Sequence, residues 1–152
     1  MRFEKIYGAE KLFEELEKYC YRKAIISVAG TSGEFFQFDV RREGNRIVYS
    51  TNELFIKTRI VRMLAEGKIS IIVRSFLAEK HPATGLPYKE LRGFIAWLDE
   101  RNRVRFRMIP AEYLVQAYTT DPLTGEPIPP EREAIYCDQN KKIFGEDLIR
   151  SV

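Results

Sequence analysis

Apolar and polar residues recur along this chain with two periods, and the switches between them mark out its elements. Residues 9–21 place Leu12, Phe13, Leu16, Tyr19 and Cys20 on one helical face, with Glu10, Lys11, Glu14 and Lys18 opposite. That spacing predicts an amphipathic helix packed on something else. Residues 24–29 form a short apolar run, read as a strand, and Gly30-Thr31-Ser32-Gly33 breaks it as a turn. Phe36, Phe38 and Val40 then alternate with Gln37, Asp39 and Arg41, which predicts a strand with one buried face. Glu43-Gly44-Asn45 is a hairpin turn, and residues 46–50 return as a third strand.

Ser50-Thr51-Asn52-Glu53 fits a capping box, the hydroxyl capping a helix and Glu53 answering three residues later. The helix is expected to run to Ala65, with Leu54, Ile60, Val61 and Leu64 as its apolar positions, and to stop before Gly67. Residues 69–77 are nearly continuously apolar and predict a central strand. Residues 91–98 and 104–108 form a hairpin around Asp99-Glu100-Arg101-Asn102. Pro110 opens a short helix through about Tyr118, and residues 134–137 and 142–144 form a last small hairpin. The segments 81–87 and 121–127 share the pattern Pro-X-Thr-Gly-X-Pro, read either as a repeat or as two convergent turns. Antiparallel strands with few, short helices predict an α+β fold, an antiparallel split β-barrel, in a single domain over residues 1–152. Residues 119–152 form its C-terminal extension.

Composition narrows the class. Of 152 residues, 45% are apolar and 31% charged, enough for a core and too ordered a mixture for a disordered chain. A net charge of +3 from 25 basic and 22 acidic residues does not imply nucleic-acid binding. No apolar run approaches the ~20 residues of a membrane span, and no signal-peptide pattern opens the chain, so the expected compartment is the cytoplasm. Cys20 and Cys137 match no zinc or redox spacing and read as two buried or half-buried thiols or as a long-range disulfide. His81, the only histidine, has no cysteine cluster beside it and reads as a solvated loop residue; no metal site is expected. No hydrolase or Walker-type signature is present. Arg101, Arg103, Arg105 and Arg107 recur with period two, a basic strand face that reads chiefly as the wet side of a barrel strand. Phe94, Trp97, Tyr88 and Tyr113 read as core, with stacking on a flat ring as the functional alternative.

The candidate chemistry lies in residues 47–59, where a strand ends in hydroxyls, a turn follows, and a helix start carries a lysine six positions after Thr51. Hydroxyls, helix N-terminal N–H groups and a cation together suit a bound phosphate. Taken in order, these segments resemble the FMN-binding split β-barrel superfamily typified by pyridoxamine 5′-phosphate oxidase. The resemblance runs from about Leu12 to Tyr118. It rests on Val48-Tyr49-Ser50-Thr51-Asn52, on Lys57-Thr58-Arg59, on the apolar strand 69–73, on Leu91-Arg92-Gly93 and on residues 104–110. By that resemblance Ser50, Thr51 and Lys57 hold the flavin phosphate with Arg59 in support, and the protein is a homodimeric, FMN-dependent oxidoreductase of unassigned substrate. No side chain is named as acid, base or nucleophile. The chain departs from the family at Phe55-Ile56, where Ser-Arg is usual, and in strand two, which lacks the family's arginine and lysine. Those departures support an alternative: a non-enzymatic ligand- or partner-binding split-barrel protein without the cofactor site.

Overall fold

Two helices lie against one face of a six-stranded antiparallel sheet that curls into a half-barrel. The fold comes from a computed structural model, and residues 6–31, 33–78, 88–110 and 114 are the ones described. In chain order the elements are α1 (Ala9–Lys18), β1 (Lys23–Gly30), β2 (Phe35–Glu43), β3 (Arg46–Tyr49), α2 (Glu53–Glu66), β4 (Ile69–Ala78), β5 (Tyr88–Leu98) and β6 (Val104–Met108). The sheet order is β3-β2-β1-β4-β5-β6, so the apolar strands β1 and β4 are central. The expected α+β class and antiparallel barrel-like sheet are what the chain adopts. The helix expected from Pro110, apart from Leu114, and the hairpin at 134–144 lie outside the described residues, as do both Pro-X-Thr-Gly-X-Pro loops, His81 and Cys137.

Strand pairing decides which residues share a face. Ile26 stands opposite Phe38 on one side and Val73 on the other, and Ile71 stands opposite Phe94. Successive side chains point to opposite faces. Ala24, Ile26, Val28, Phe38, Val40, Ile69, Ile71, Val73, Phe94 and Ala96 therefore share the face that packs on the helices. From α1 this core takes Leu12, Phe13 and Leu16, and from α2 Ile56, Ile60, Met63 and Leu64. Burying an aliphatic side chain contributes roughly 1.5–3 kcal/mol, so this shared core dominates the fold. On the opposite face, Ser27, Ala29, Ser70, Ile72, Arg74 and Ile95 are buried as well.

Three details differ from the sequence reading. Helix α2 starts at Glu53 and is capped by Asn52, whose Oδ1 accepts from the Phe55 N–H at 3.0 Å, not by the Ser50 hydroxyl. Asn is as good a cap as Ser, and at 3.6 residues per turn Leu54 lies on another side of the helix from Ile60 and Leu64. Its buried stripe is thus Ile56, Ile60, Met63 and Leu64, while Leu54, expected in the core, is 76% exposed. Helix α1 ends at Lys18 instead of Tyr21, and the chain there is caught by the sheet: Ser75 Oγ donates to Tyr19 O and accepts from the Tyr21 N–H.

Candidate functional site

Two successive residues at the end of β3 face opposite ways, and this divides the expected phosphate site. Tyr49 belongs to the helix-covered face, where its ring stacks on Phe38 at 5.7 Å, and Phe38 in turn stacks on Phe36 at 5.9 Å. Two of the α2 cations sit over these rings. Arg59 Cζ lies 4.2 Å from the Phe36 centroid, and Lys57 Nζ lies 5.5 Å from that of Tyr49 and 5.1 Å from that of Phe13. Such contacts favour a cation by roughly 0.5–1 kcal/mol when partly exposed.

Lys57 is held further by two carboxylates, Glu53 Oε1 at 3.6 Å and Glu17 Oε1 at 3.9 Å. Glu17 also accepts the Tyr49 hydroxyl at 2.8 Å. Burial, reinforced by that carboxylate, pushes the Tyr49 phenol well above its ordinary range. Phe13, Glu17, Tyr49, Glu53 and Lys57 therefore form one clasp joining α1, β3 and α2. Lys57 acts here as an internal counter-charge. Sequence reading missed Glu17, which looked like one more solvated position of α1; its only signal was a helix facing the aromatic strand.

Ser50 takes the other direction. Its hydroxyl donates to Asp39 O at 3.0 Å, and it lines an open cleft of about 430 Å³ with Lys23, Asp39, Val40, Arg41, Val48 and Tyr49. Lys23 stands opposite Arg41, and Arg41 opposite Val48, so the cleft crosses β1, β2 and β3 on the face away from the helices. Its size falls in the range of small-molecule sites, roughly 300–1,000 Å³. Lys23 and Arg41 bring positive charge, and Arg41 is also paired with Glu43 at 2.8 Å in an exposed ion pair. Thr51 is exposed in the turn between cleft and clasp. The structure thus groups Ser50 with Lys23 and Arg41, and groups Lys57 with Arg59 on the helix side. Lys23 and Arg41 were not singled out from the sequence, because exposed strand cations look alike until pairing puts two side by side.

Of the remaining candidates, Phe94 resolves as packing and the arginine strand as local electrostatics, while Tyr113 and the Tyr88 side chain lie outside the described residues. Phe94 is 1% exposed and packs against Tyr19 at 5.9 Å and Phe106 at 6.3 Å. On the arginine strand, Asp99 pairs with two of the four guanidinium groups, those of Arg103 and Arg105. Its Oδ1 accepts the Arg101 and Arg103 N–H groups at 2.8 and 3.0 Å, and its Oδ2 accepts Arg103 Nε and Arg105 Nε at 2.9 and 3.0 Å. The Arg103 N–H first, then the Arg101 N–H and the two guanidinium groups, hold the Asp99 carboxyl well below the usual carboxylate range. Arg101 sits in the turn ahead of β6 instead of on its face. Cys20 is a buried free thiol, pushed up by burial and only partly offset by Arg42. Among the described residues no group of three metal-ligating side chains forms, and no helix is long and apolar enough to cross a membrane.

Comparison with protein-family models, with curated proteins and with solved structures finds no match to this chain.

Proposed function

We propose that this protein binds a phosphate-bearing ligand of the flavin mononucleotide class in the cleft of β1, β2 and β3, and acts as a flavin-dependent oxidoreductase of the split-barrel type. The observation that carries this reading is the convergence of Lys23, Arg41 and the Ser50 hydroxyl on one cleft of ligand size. Two cations and a hydroxyl suit a phosphate. The Asp39 carboxylate in the same cleft suits a ligand that also brings donors, as the hydroxyls and ring N–H of a flavin nucleotide do. Ser50 must turn its hydroxyl from Asp39 O to reach the phosphate, and Thr51 stands exposed beside it. Lys57 and Arg59, held over the rings, keep α2 on the sheet beneath the site. A bound flavin supplies hydride or electron transfer; the protein's part is to hold and orient it.

A homodimer in the cytoplasm belongs to the same proposal. It is supported by Leu54 and Phe55, 76% and 65% exposed on adjacent positions of α2, which a second subunit would cover.

The engagement of Lys57 with Glu17 and Glu53 favours a second reading, a ligand- or partner-binding split-barrel protein without redox chemistry. One titration separates the two. FMN and riboflavin are added to the purified protein, and flavin absorbance and fluorescence are followed. The flavin reading expects FMN to bind at least about tenfold more tightly than riboflavin, with the preference abolished in Lys23→Ala/Arg41→Ala. Absence of any flavin binding by the folded protein would leave the second reading in place.

A further inference from the structure

Among the described residues, Arg74 is a buried cation without a counter-charge. It lies on central strand β4, opposite Ile25 of β1, on the face away from the helices, and is 4% exposed. Its Nη2 donates to Gln37 Oε1 at 2.8 Å, and that same oxygen accepts the Ser27 hydroxyl at 2.9 Å. Its Nε is buried with no hydrogen-bond partner, and among the described residues no carboxylate pairs with the guanidinium. The neighbouring position of Ser27 on the same face is likewise buried, at 4% exposure.

This arrangement is unstable on general grounds. A guanidinium does not lose its proton inside a protein, so it cannot escape burial by neutralising as a lysine can. A buried ion is tolerated when paired and fully hydrogen-bonded, and one neutral amide oxygen shared with a serine does neither. A purely structural role would be served better by an apolar residue beside Ile25, Ile72 and Leu91. The planar fork of arginine is suited to a carboxylate or phosphate, which accepts two parallel N–H groups at once.

We propose that Arg74 anchors an oxyanion-binding site on this face of the sheet: a carboxylate or phosphate group accepts its Nε–H, while Gln37 fixes the other end of the fork. The anion is either a free small oxyanion or the acidic group of a larger ligand. The site is independent of the cleft at Lys23 and Arg41 and does not require it to bind a flavin.

The test follows thermal stability at constant ionic strength, with sodium chloride replaced by sodium phosphate, by sodium acetate, or in part by FMN. The wild-type protein is expected to melt higher in at least one of the three than in chloride alone. A response to phosphate or acetate identifies a free anion, and a response to FMN alone that survives Lys23→Ala/Arg41→Ala identifies the phosphate of a larger ligand. Arg74→Met should weaken the apparent anion affinity by about tenfold or more, and in chloride it should melt no lower than the wild type, since removing an uncompensated charge relieves the fold. In Lys23→Ala/Arg41→Ala, which removes the cleft's own hold on an FMN phosphate, a response to at least one of the three should remain. If Arg74→Met does not fold, the Nε–H resonance of Arg74 in the wild-type protein, assigned by its loss in Arg74→Lys, is followed during the same titrations and should shift. No stabilisation by any of the three anions in Lys23→Ala/Arg41→Ala, an undiminished response when Arg74→Met is added to that protein, or an unmoved Nε–H signal each overturns the proposal.

Discussion

The Tyr49 hydroxyl donates to the Glu17 carboxylate at 2.8 Å, tying the last residue of β3 to the final turn of α1, 32 positions away in sequence. Because Lys57 of α2 reaches the same carboxylate, three elements meet on one oxygen. Tyr49→Phe removes the donor and keeps the ring stacked on Phe38. It is expected to lower stability by about 1–2 kcal/mol, the range for a partly buried bond to a charged acceptor, as read by urea unfolding.

The same contact has a pH signature. A phenol whose folded-state pKa is raised contributes stability that is complete below the unfolded value, near ~10, and is lost as pH rises past it. Titration by phenolate absorbance should therefore show one tyrosine that ionises only as the protein unfolds in base. Tyr49→Phe should remove that step and no other. Loss of an earlier step instead would place the perturbed phenol elsewhere.

Asp99 gives the opposite sign. Its folded-state pKa is depressed by the Arg103 and Arg101 N–H groups and by two guanidinium groups. Its contribution is present above the unfolded value, near ~4, and fades as pH falls below it. Asp99→Asn should destabilise the β5–β6 hairpin at neutral pH, and the gap between variant and wild type should narrow on acidification below about pH 4. A gap that stays constant through that range would mean that shape, not charge, matters at this turn.

Arg42 closes the C-terminal end of α1: its Nε donates to Cys20 O at 2.8 Å and its Nη2 to Glu17 O at 3.1 Å. A cation with two donors at a helix C-terminus satisfies carbonyls that the helix leaves open. Arg42→Ala should cost about 1–2 kcal/mol. Arg42→Lys should recover only part of it, because a lysine lacks the fork; equal stability of the two variants would argue against the paired hydrogen bonds.

Gly93 marks a close approach on the face away from the helices. A Cβ there would sit 2.7 Å from Leu114 Cδ2 and 3.0 Å from both Ile109 Cδ1 and Ile72 Cδ1. Gly93→Ala is expected to destabilise by about 1–3 kcal/mol through overpacking. A neutral or stabilising result would show that the Ile109–Leu114 segment gives way freely.

Much of the fold was legible because local periodicity and the core agree. The alternation of Phe36, Phe38 and Val40 is the buried face of β2, and the apolar run from Ile69 becomes a central strand. Boundaries were less legible where two residues could serve equally. Ser50 and Asn52 are both good caps, and the folded chain uses Asn52; Leu54, away from the stripe of Ile56, Ile60, Met63 and Leu64, stays exposed.

For the candidate site, the sequence by itself determined the cast: a strand ending in Tyr49 and Ser50, a turn, and a helix carrying Lys57 and Arg59. Tertiary structure decided their alliances. Alternation sends Tyr49 and Ser50 to opposite faces, and α1 brings Glu17 up to claim Lys57. Strand pairing sets Lys23 beside Arg41 from segments 18 residues apart. Among the described residues it also leaves Arg74 buried with a neutral partner, Gln37, and an unpartnered Nε. Linear spacing records which charges a segment carries, but whether a charge meets a ring, a carboxylate or a ligand depends on contacts between segments, which only the folded sheet and its helices create.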